Sequence, residues 1–120
     1  MGKAKKIKSE KQNYTLWIEA EEWVPGHWVP DDDNTDVIVT FQDGRRWVAS
    51  FFSYKNIEKL TNKNKETGEC YSGAYFWSSD MILIDQVSRK RIEEIIEHLI
   101  EEEEFEMIFT HIPPEIEQDE

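Results

Sequence analysis

Residues 75–109 read YFWSSDMILIDQVSRKRIEEIIEHLIEEEEFEMIF, and the pattern in this stretch decides the fold. The apolar run at 81–84 is too short for a helix and is typical of a buried strand. Ser88 follows, and its hydroxyl can accept from the first free N–H groups of a helix. Beyond it, apolar residues recur at helical spacing, at Ile92, Ile95, Ile96, Leu99 and Ile100. The stretch predicts a strand and then an amphipathic helix whose apolar stripe needs a sheet to cover it.

The residues before this stretch predict the first three strands of that sheet. Alternating apolar and polar residues favour strands over 14–24 and 36–42. Asp43-Gly44 is a two-residue hairpin signal, because both central positions of such a turn need positive φ. Residues 45–53 then return as a third strand. Apolar side chains on both of its faces predict a central position in the sheet.

The remaining elements complete an α+β plan. Ser53 can cap a short helix over 54–63. A fourth strand is predicted over 74–85, and the alternation of Phe105, Met107 and Phe109 predicts a last strand. The predicted fold is therefore α+β, with an antiparallel sheet of about five strands. One long C-terminal helix packs on one face of this sheet, and a second short helix lies beside it.

Charge is distributed unevenly along the 120 residues. The formal net charge is −12 at pH 7, but residues 1–11 carry five Lys and one Glu, which leaves −16 for the rest. We therefore predict a disordered basic leader at 1–12, a single domain at 13–112 and an acidic tail at 113–120. A body this acidic repels nucleic acid and attracts basic proteins. We expect a basic protein partner and no nucleic-acid binding by the folded body.

Cysteine content and hydropathy bear on the compartment. Cys70 is the only cysteine, so no internal disulfide can form, and a reducing cytoplasm is the natural setting. No run approaches the ~20 apolar residues of a membrane span. The basic residues at 1–11 are not followed by the apolar core of a signal peptide. We expect a cytoplasmic protein that makes no membrane contact.

The segment 25–36 is a long predicted loop, and long loops often carry function. Its four aspartates are candidate contacts for a basic partner: Asp31, Asp32, Asp33 and Asp36. The spacing from Asp32 imitates the start of a calcium loop, but Val37 stands where Gly is required and Asp43 where Glu is required. An EF-hand is therefore excluded. An adventitious cation site and a merely solvated loop are the alternatives.

Two tryptophans flank the Pro-Gly break at the start of this loop. Trp23 and Trp28 are candidate interface anchors, because Trp is over-represented among residues that dominate binding energy. Two alternatives stay open for them. They can stack on sugar rings in a carbohydrate-binding module, or they can pack the loop without any function.

The titratable residues give no motif for catalysis or metal binding. The three histidines (His27, His98, His111) and Cys70 lack the spacing of metal ligands. Gly-rich phosphate loops and nucleophile elbows are absent. The sequence therefore favours a non-enzymatic protein, with no catalytic residue, metal or cofactor assigned.

Three cations open the long helix, at positions 89–91. At a spacing of four residues, Arg89 can pair with Glu93 and Lys90 with Glu94. An anion site at the helix start is the alternative. The pairs are expected because they offset the unfavourable placement of cations near a helix N-terminus.

Residues 43–51 (DGRRWVASF) resemble the hairpin of a family of small uncharacterised bacterial proteins. Residues 75–77 and 80–84, with a helix opening near Ile92, fit the same pattern. In size, acidity and α+β plan the chain is similar to immunity proteins of bacterial toxin systems. That resemblance implies a protein that neutralises a toxin by binding it and catalyses nothing.

The sequence thus favours a non-enzymatic acidic protein-binding domain, and its specific form is an immunity-type inhibitor of a basic bacterial toxin. The alternative is a small ligand-binding domain or enzyme with a pocket between the sheet and the 25–36 loop. The two readings differ in whether a concave apolar pocket lies beside that loop.

Overall fold

The computed structural model describes residues 13–114, so the predicted leader and residues 115–120 of the predicted tail lie outside it. Within this part, four helices and one 3₁₀ helix accompany five strands. Their order is β1 (Tyr14–Ile18), the 3₁₀ helix (Glu19–Glu22), β2 (Asn34–Phe41), β3 (Arg46–Ser53), α1 (Tyr54–Thr67), α2 (Glu69–Gly73), β4 (Met81–Ile84), α3 (Arg89–Glu101), α4 (Phe105–Ile108) and β5 (Thr110–Ile112). None of these helices is both long and apolar enough to cross a membrane.

All five strands form one sheet with β3 at its centre. β1 pairs antiparallel with β2, and β2 pairs antiparallel with β3 through the hairpin that contains Asp43-Gly44. The loop of this hairpin spans residues 42–44, one residue more than predicted, and only Gly44 in it has a positive φ. The far edge of β3 is shared, because β5 pairs antiparallel with its first half and β4 pairs parallel with its second half. The α+β class, the five strands and the central place of β3 are confirmed. The parallel pairing of β4 was not predicted.

The hydrophobic core lies on one face of the sheet, between the strands and α3. Ile18, Val37 and Ala49 are in register across β1, β2 and β3, and all three are fully buried. The predicted apolar stripe of α3 packs against them, with Ile92 and Ile96 fully buried. Ser88 caps this helix as predicted, because its hydroxyl accepts from the Arg91 N–H at 3.2 Å.

The helix layout differs from the prediction of one long and one short helix. α1 has 14 residues and α3 has 13. Ser53 caps α1 as predicted, accepting from the Asn56 N–H at 3.1 Å. The helix continues to Gly68, whose φ of +88° ends it and whose N–H donates to the Asn64 carbonyl at 2.9 Å. None of the described residues of α1 belongs to the hydrophobic core that α3 covers.

The prediction of a last strand at 105–109 is wrong, because residues 105–108 form the short helix α4. Phe105 and Phe109 lie four residues apart, which fits one face of a helix as well as one face of a strand. Their rings stack with centroids 4.3 Å apart and both side chains are buried. Met107 distinguishes a helix from a strand. In a strand it would be buried on the same face as Phe105 and Phe109, whereas it is 73% exposed. The fifth strand follows at Thr110.

Two other strands are shorter than predicted. The strand expected over 14–24 ends at Ile18, where the 3₁₀ helix is fixed by the Ala20 N–H donating to the Thr35 hydroxyl at 2.9 Å. The strand expected over 74–85 begins only at Met81, because Asp80 takes a positive φ of 54° that extended backbone cannot continue through. Residues 74–79 are therefore a surface segment and not part of the sheet.

Candidate protein-binding surface

The acidic loop is fastened to the first turns of α1. The Asp32 carboxylate accepts from the Asn56 side-chain amide and from the Lys59 ammonium, both at 3.3 Å. Asp31 lies 3.8 Å from the Lys55 ammonium and stays exposed. Because Lys55 and Lys59 neutralise part of the loop, this segment offers a partner less charge than its sequence predicts.

Asp33 holds the conformation of the loop. Its two carboxylate oxygens accept from the backbone N–H groups of Val29, at 3.1 Å, and Asn34, at 3.0 Å. Its own backbone bonds to Ser53, which caps α1: the Asp33 N–H donates to the hydroxyl at 3.2 Å, and its carbonyl accepts from the Ser53 N–H at 3.0 Å. Asp33 thus joins the start of β2 to the start of α1.

Asp36 lies apart from the other three aspartates. It is exposed on β2, where it accepts a hydrogen bond from the Ser50 hydroxyl on β3 at 2.6 Å. This places it on the sheet face opposite α3. The four predicted aspartates are therefore divided between a loop at the start of α1 and an open strand surface.

Trp23 and Trp28 pack the loop onto the domain. Both are half-buried against the hydrophobic core. The Trp28 indole N–H donates to the Val87 carbonyl at 3.1 Å, and the Val87 N–H donates to the Pro30 carbonyl at 2.7 Å. These contacts close the loop over the junction between β4 and α3. The geometry gives both tryptophans a packing role and leaves only part of each ring accessible.

The two most exposed aromatic residues, Tyr71 and Trp77, lie elsewhere, in the segment 71–77, which we call the aromatic segment. Tyr71 is 84% exposed, Tyr75 58% and Trp77 71%. No acidic residue interrupts this part of the chain between Glu69 and Asp80. Sequence reasoning missed this surface because it placed residues 74–85 in a strand. The signal in the sequence is the run YSGAYFWSS, whose Tyr, Ser, Gly and Trp are the residues that antibody binding loops favour.

The aromatic segment is anchored at both ends. Gly73 lies so close to α1 that a Cβ there would be 2.7 Å from both the Thr61 carbonyl and the Lys65 side chain. Phe76 turns inward between two exposed neighbours, and its ring meets Phe52 of β3 edge to face at 5.4 Å. These two contacts attach the segment to α1 and to the sheet at positions next to the exposed rings.

The short helix α2, which overlaps the start of this segment, is an unusual left-handed turn. Cys70, Tyr71 and Ser72 all have left-handed conformations, with φ of 53°, 54° and 55°. Residues other than glycine enter this region at a cost of roughly 1–2 kcal/mol each. Such strain tends to collect where a backbone presents a functional side chain. Here it carries Tyr71, the most exposed aromatic residue of the segment.

The second face of the sheet is only partly covered. Trp17, Ile38 and Val48 form one cross-strand row on this face, and Trp17 is 39% exposed. The Trp17 indole N–H donates to the Glu22 carboxylate at 2.8 Å. This row gives the molecule a second partly apolar surface beside the exposed Asp36.

The histidines and Cys70 lie apart from one another in the described chain. In the described part of the chain, no group of three or more His, Cys, Asp or Glu is placed to hold a metal ion. His27 and His98 are exposed, and His111 packs its ring on Trp47 with centroids 4.9 Å apart. Cys70 lies in the left-handed turn, half-buried.

The cations that open α3 are largely paired. The predicted pair of Arg89 and Glu93 is confirmed at 3.2 Å, and Arg89 also meets Glu21 at 3.1 Å. The predicted pair of Lys90 and Glu94 is wrong, because Glu94 bonds to Arg91 at 2.7 Å. Arg91 lies on the side of the helix that also faces Asp85, at 3.0 Å, so it reaches both carboxylates.

Comparison with protein-family models, with curated proteins and with solved structures found no match to this chain. The resemblance to small bacterial proteins and to immunity proteins therefore stays a prediction. What the molecule binds has to be argued from its surfaces.

Asp32 gives the loop a pH dependence that can be measured. Its hydrogen bond from Asn56, together with Lys59, holds the pKa of the Asp32 carboxyl below its usual value. A depressed pKa in the folded state adds stability above the unfolded pKa, and this is lost as the pH falls through the folded value. The free-energy difference between the wild type and Asp32→Asn is therefore expected to be fully present above the unfolded pKa of about 3.9, and to shrink as the pH falls below it through the lower folded pKa. Urea unfolding at several pH values measures it, with Asp31→Asn as the exposed control. A difference that stayed constant with pH would contradict the assignment.

Proposed function

We propose that this chain is a non-enzymatic protein-binding domain for a basic partner, with the aromatic segment as its anchor. The observation that carries the proposal is the exposure of Tyr71, Tyr75 and Trp77 within seven residues of an acidic protein. Large aromatic side chains left in water at this density have no role in the core. They supply contact area to a partner at a low cost in side-chain entropy.

The energetics of interfaces favour these residues. Trp and Tyr are enriched among the few side chains that account for most binding energy. They are most effective when the free protein already holds them in place, because less freedom is then lost on binding. Gly73 against α1 and Phe76 against Phe52 provide that pre-organisation.

The charge of the chain favours a basic partner. It has 26 Asp and Glu against 14 Lys and Arg, and five of those lysines lie in residues 1–11. Complementary charge speeds association and suppresses wrong partners more than it adds affinity. Asp31 and Asp36, the two exposed members of the predicted acidic set, contribute to this field. An immunity protein acts on a basic toxin in this way, and we propose that specific form.

A triple variant tests the role of the aromatic segment. Immobilised wild type should retain a basic protein from lysate of the source organism, in near-stoichiometric amount and released by salt. The variant Tyr71→Ser/Tyr75→Ser/Trp77→Ser should weaken the isolated complex at least 100-fold, since several anchor residues are removed together. The matched control, Tyr54→Ser/Met107→Ser, removes two exposed apolar side chains elsewhere and should bind normally.

Three outcomes contradict the proposal. One is that no basic protein is retained by the wild type. Another is that the triple variant binds as well as the control. The third is an association rate that does not fall as salt rises, which would remove the argument from charge. All five substituted side chains are exposed, so the variants are expected to fold. Circular dichroism of each variant checks this.

The position of the cavities does not favour the alternative of a ligand-binding domain with a pocket beside the 25–36 loop. Two cavities of the described chain are lined by residues from 13 to 106 and from 86 to 94, and neither takes a lining residue from 25–36. That loop is instead closed onto the domain by Trp28 and Pro30.

A further inference from the structure

A groove lies where the β2–β3 hairpin meets the C-terminal end of α3. Its volume is about 560 Å³, within the range of ligand sites. Phe41, Ile100 and Phe105 supply apolar side chains to its lining. The lining carboxylates come from two sides, Asp43 on the hairpin and Glu103 and Glu106 beyond α3.

This groove keeps an excess of negative charge. Arg45 is the only cation among the described residues that line it, and its guanidinium lies 2.9 Å from Asp43 and 3.9 Å from Glu106. The Arg45 N–H and guanidinium hold the pKa of Asp43 below its usual value, so that carboxylate stays ionised. Glu103 has no ion pair within the described residues, and the glutamates at 101, 102 and 104 adjoin it. A ligand that fits combines cationic groups with apolar stems.

We propose that this groove binds the chain's own residues 1–12, the predicted basic leader. Asn13, the next residue, itself lines the groove, so the leader is attached at its edge. The leader offers Lys3, Lys5, Lys6, Lys8 and Lys11 with a single Glu. Twelve residues reach at most about 40 Å, so every one of these lysines can return to the groove.

The leader matches the groove in chemistry as well as in position. Lysine ammonium groups can pair with the rim carboxylates while their alkyl stems, together with Ile7, cover the apolar lining. Because the segment is tethered, its effective concentration at the groove is in the millimolar range. Weak individual ion pairs are then sufficient for occupancy, and that occupancy must fall with salt. The inference concerns a surface separate from the aromatic segment and does not depend on the proposed partner.

A spin label on the full chain tests the proposal directly. Ser9→Cys in a Cys70→Ser background carries one nitroxide, which broadens the amide signals of nearby residues in a proton–nitrogen spectrum. At low salt, of about 20 mM, we expect broadening at residues 41–43 and 100–106, and we expect it to disappear near 1 M salt. Residues 14–16 are not counted, because the tether alone keeps them near the label.

A charge reversal at the groove provides the matched comparison. Glu103→Lys/Glu106→Lys should abolish the broadening at 41–43 and 100–106. Glu58→Lys/Glu66→Lys makes the same change in net charge on the exposed side of α1 and should leave it intact. The dispersion of each spectrum confirms that the variant is folded.

Three results would overturn the inference. In the first, broadening is absent from the groove at low salt. In the second, it is centred on residues 31–36 or is uniform over the acidic surface. In the third, the broadening persists when spin-labelled molecules without isotopic enrichment are mixed with enriched molecules that carry no label, which would assign the contact to the leader of a second copy.

Discussion

Phe51→Ala is expected to lower the free energy of unfolding by about 3–5 kcal/mol, the usual cost of removing a phenylalanine side chain from a packed core. Phe51 is fully buried at the middle of the central strand β3. It is in register with Thr35 of β2 and Ile82 of β4, and its ring meets Phe109 at 6.2 Å. The side chain therefore joins three strands and the C-terminal segment. A loss of this size is a large part of the 5–15 kcal/mol typical of a small domain.

Urea unfolding of the purified variant measures this effect, and Phe76→Ala is the matched control. Phe76 is half-buried on the opposite side of the sheet, where its ring covers Phe52. Its removal should cost roughly 1–2 kcal/mol, because less surface is buried and no enclosed cavity is left. If both variants lost the same free energy, the core would not lie on the face where Phe51 points.

Most parts of the fold that follow from local chemistry were predicted correctly. The stripe of α3 and its Ser88 cap depend on spacing within a few residues, and the structure has both. A hairpin forms at Asp43-Gly44 as predicted, but the predicted two-residue turn is wrong. Phe41 pairs with Arg45, so the loop spans residues 42–44, and only Gly44 takes a positive φ, of +92°. Such signals can be recognised in a sequence because the residues that form the pattern also make the contacts that it predicts.

The topology of β4 and β5 could not be read in this way. Both strands contact β3, and nothing in their own four and three residues specifies which half of it each one takes. The error at 105–109 has a similar origin, because two phenylalanines four residues apart satisfy either a strand or a helix. Only the exposure of Met107 distinguishes the two, and exposure is a tertiary property.

Candidate binding residues were the least predictable feature. Trp28 and Trp77 are indistinguishable as residue types, yet one donates to the Val87 carbonyl and the other is 71% exposed. The aspartates at 32 and 33 were predicted to contact a partner. In the structure, Asp32 accepts from Asn56 at the start of α1, and Asp33 accepts from the Asn34 N–H next to it. Sequence gives the number of aromatic and acidic side chains, but packing decides which of them remain available.

Gly73→Ala is expected to detach the aromatic segment from α1. A Cβ at this position would lie 2.7 Å from the Thr61 carbonyl and from the Lys65 side chain, and Lys65 alone can move away. The φ of Gly73 is +81°, which an L-residue adopts only with strain. We expect a loss of about 2–4 kcal/mol in local stability, from that strain together with the steric overlap. Because no residue of α1 belongs to the hydrophobic core, the sheet should remain folded.

Hydrogen exchange resolves this local effect, and Gly68→Ala separates its two causes. Gly68 has a similar φ of +88°, but a Cβ there would meet nothing within 4 Å. Its variant should therefore show the conformational strain alone, about 1 kcal/mol. Faster exchange at residues 72–76 in Gly73→Ala than in Gly68→Ala, with β2 and β3 still protected, is the expected result. Equal exchange in the two variants would mean that contact with Thr61 does not hold the segment. Pre-organisation of Tyr75 and Trp77 would then depend on the contact of Phe76 with Phe52.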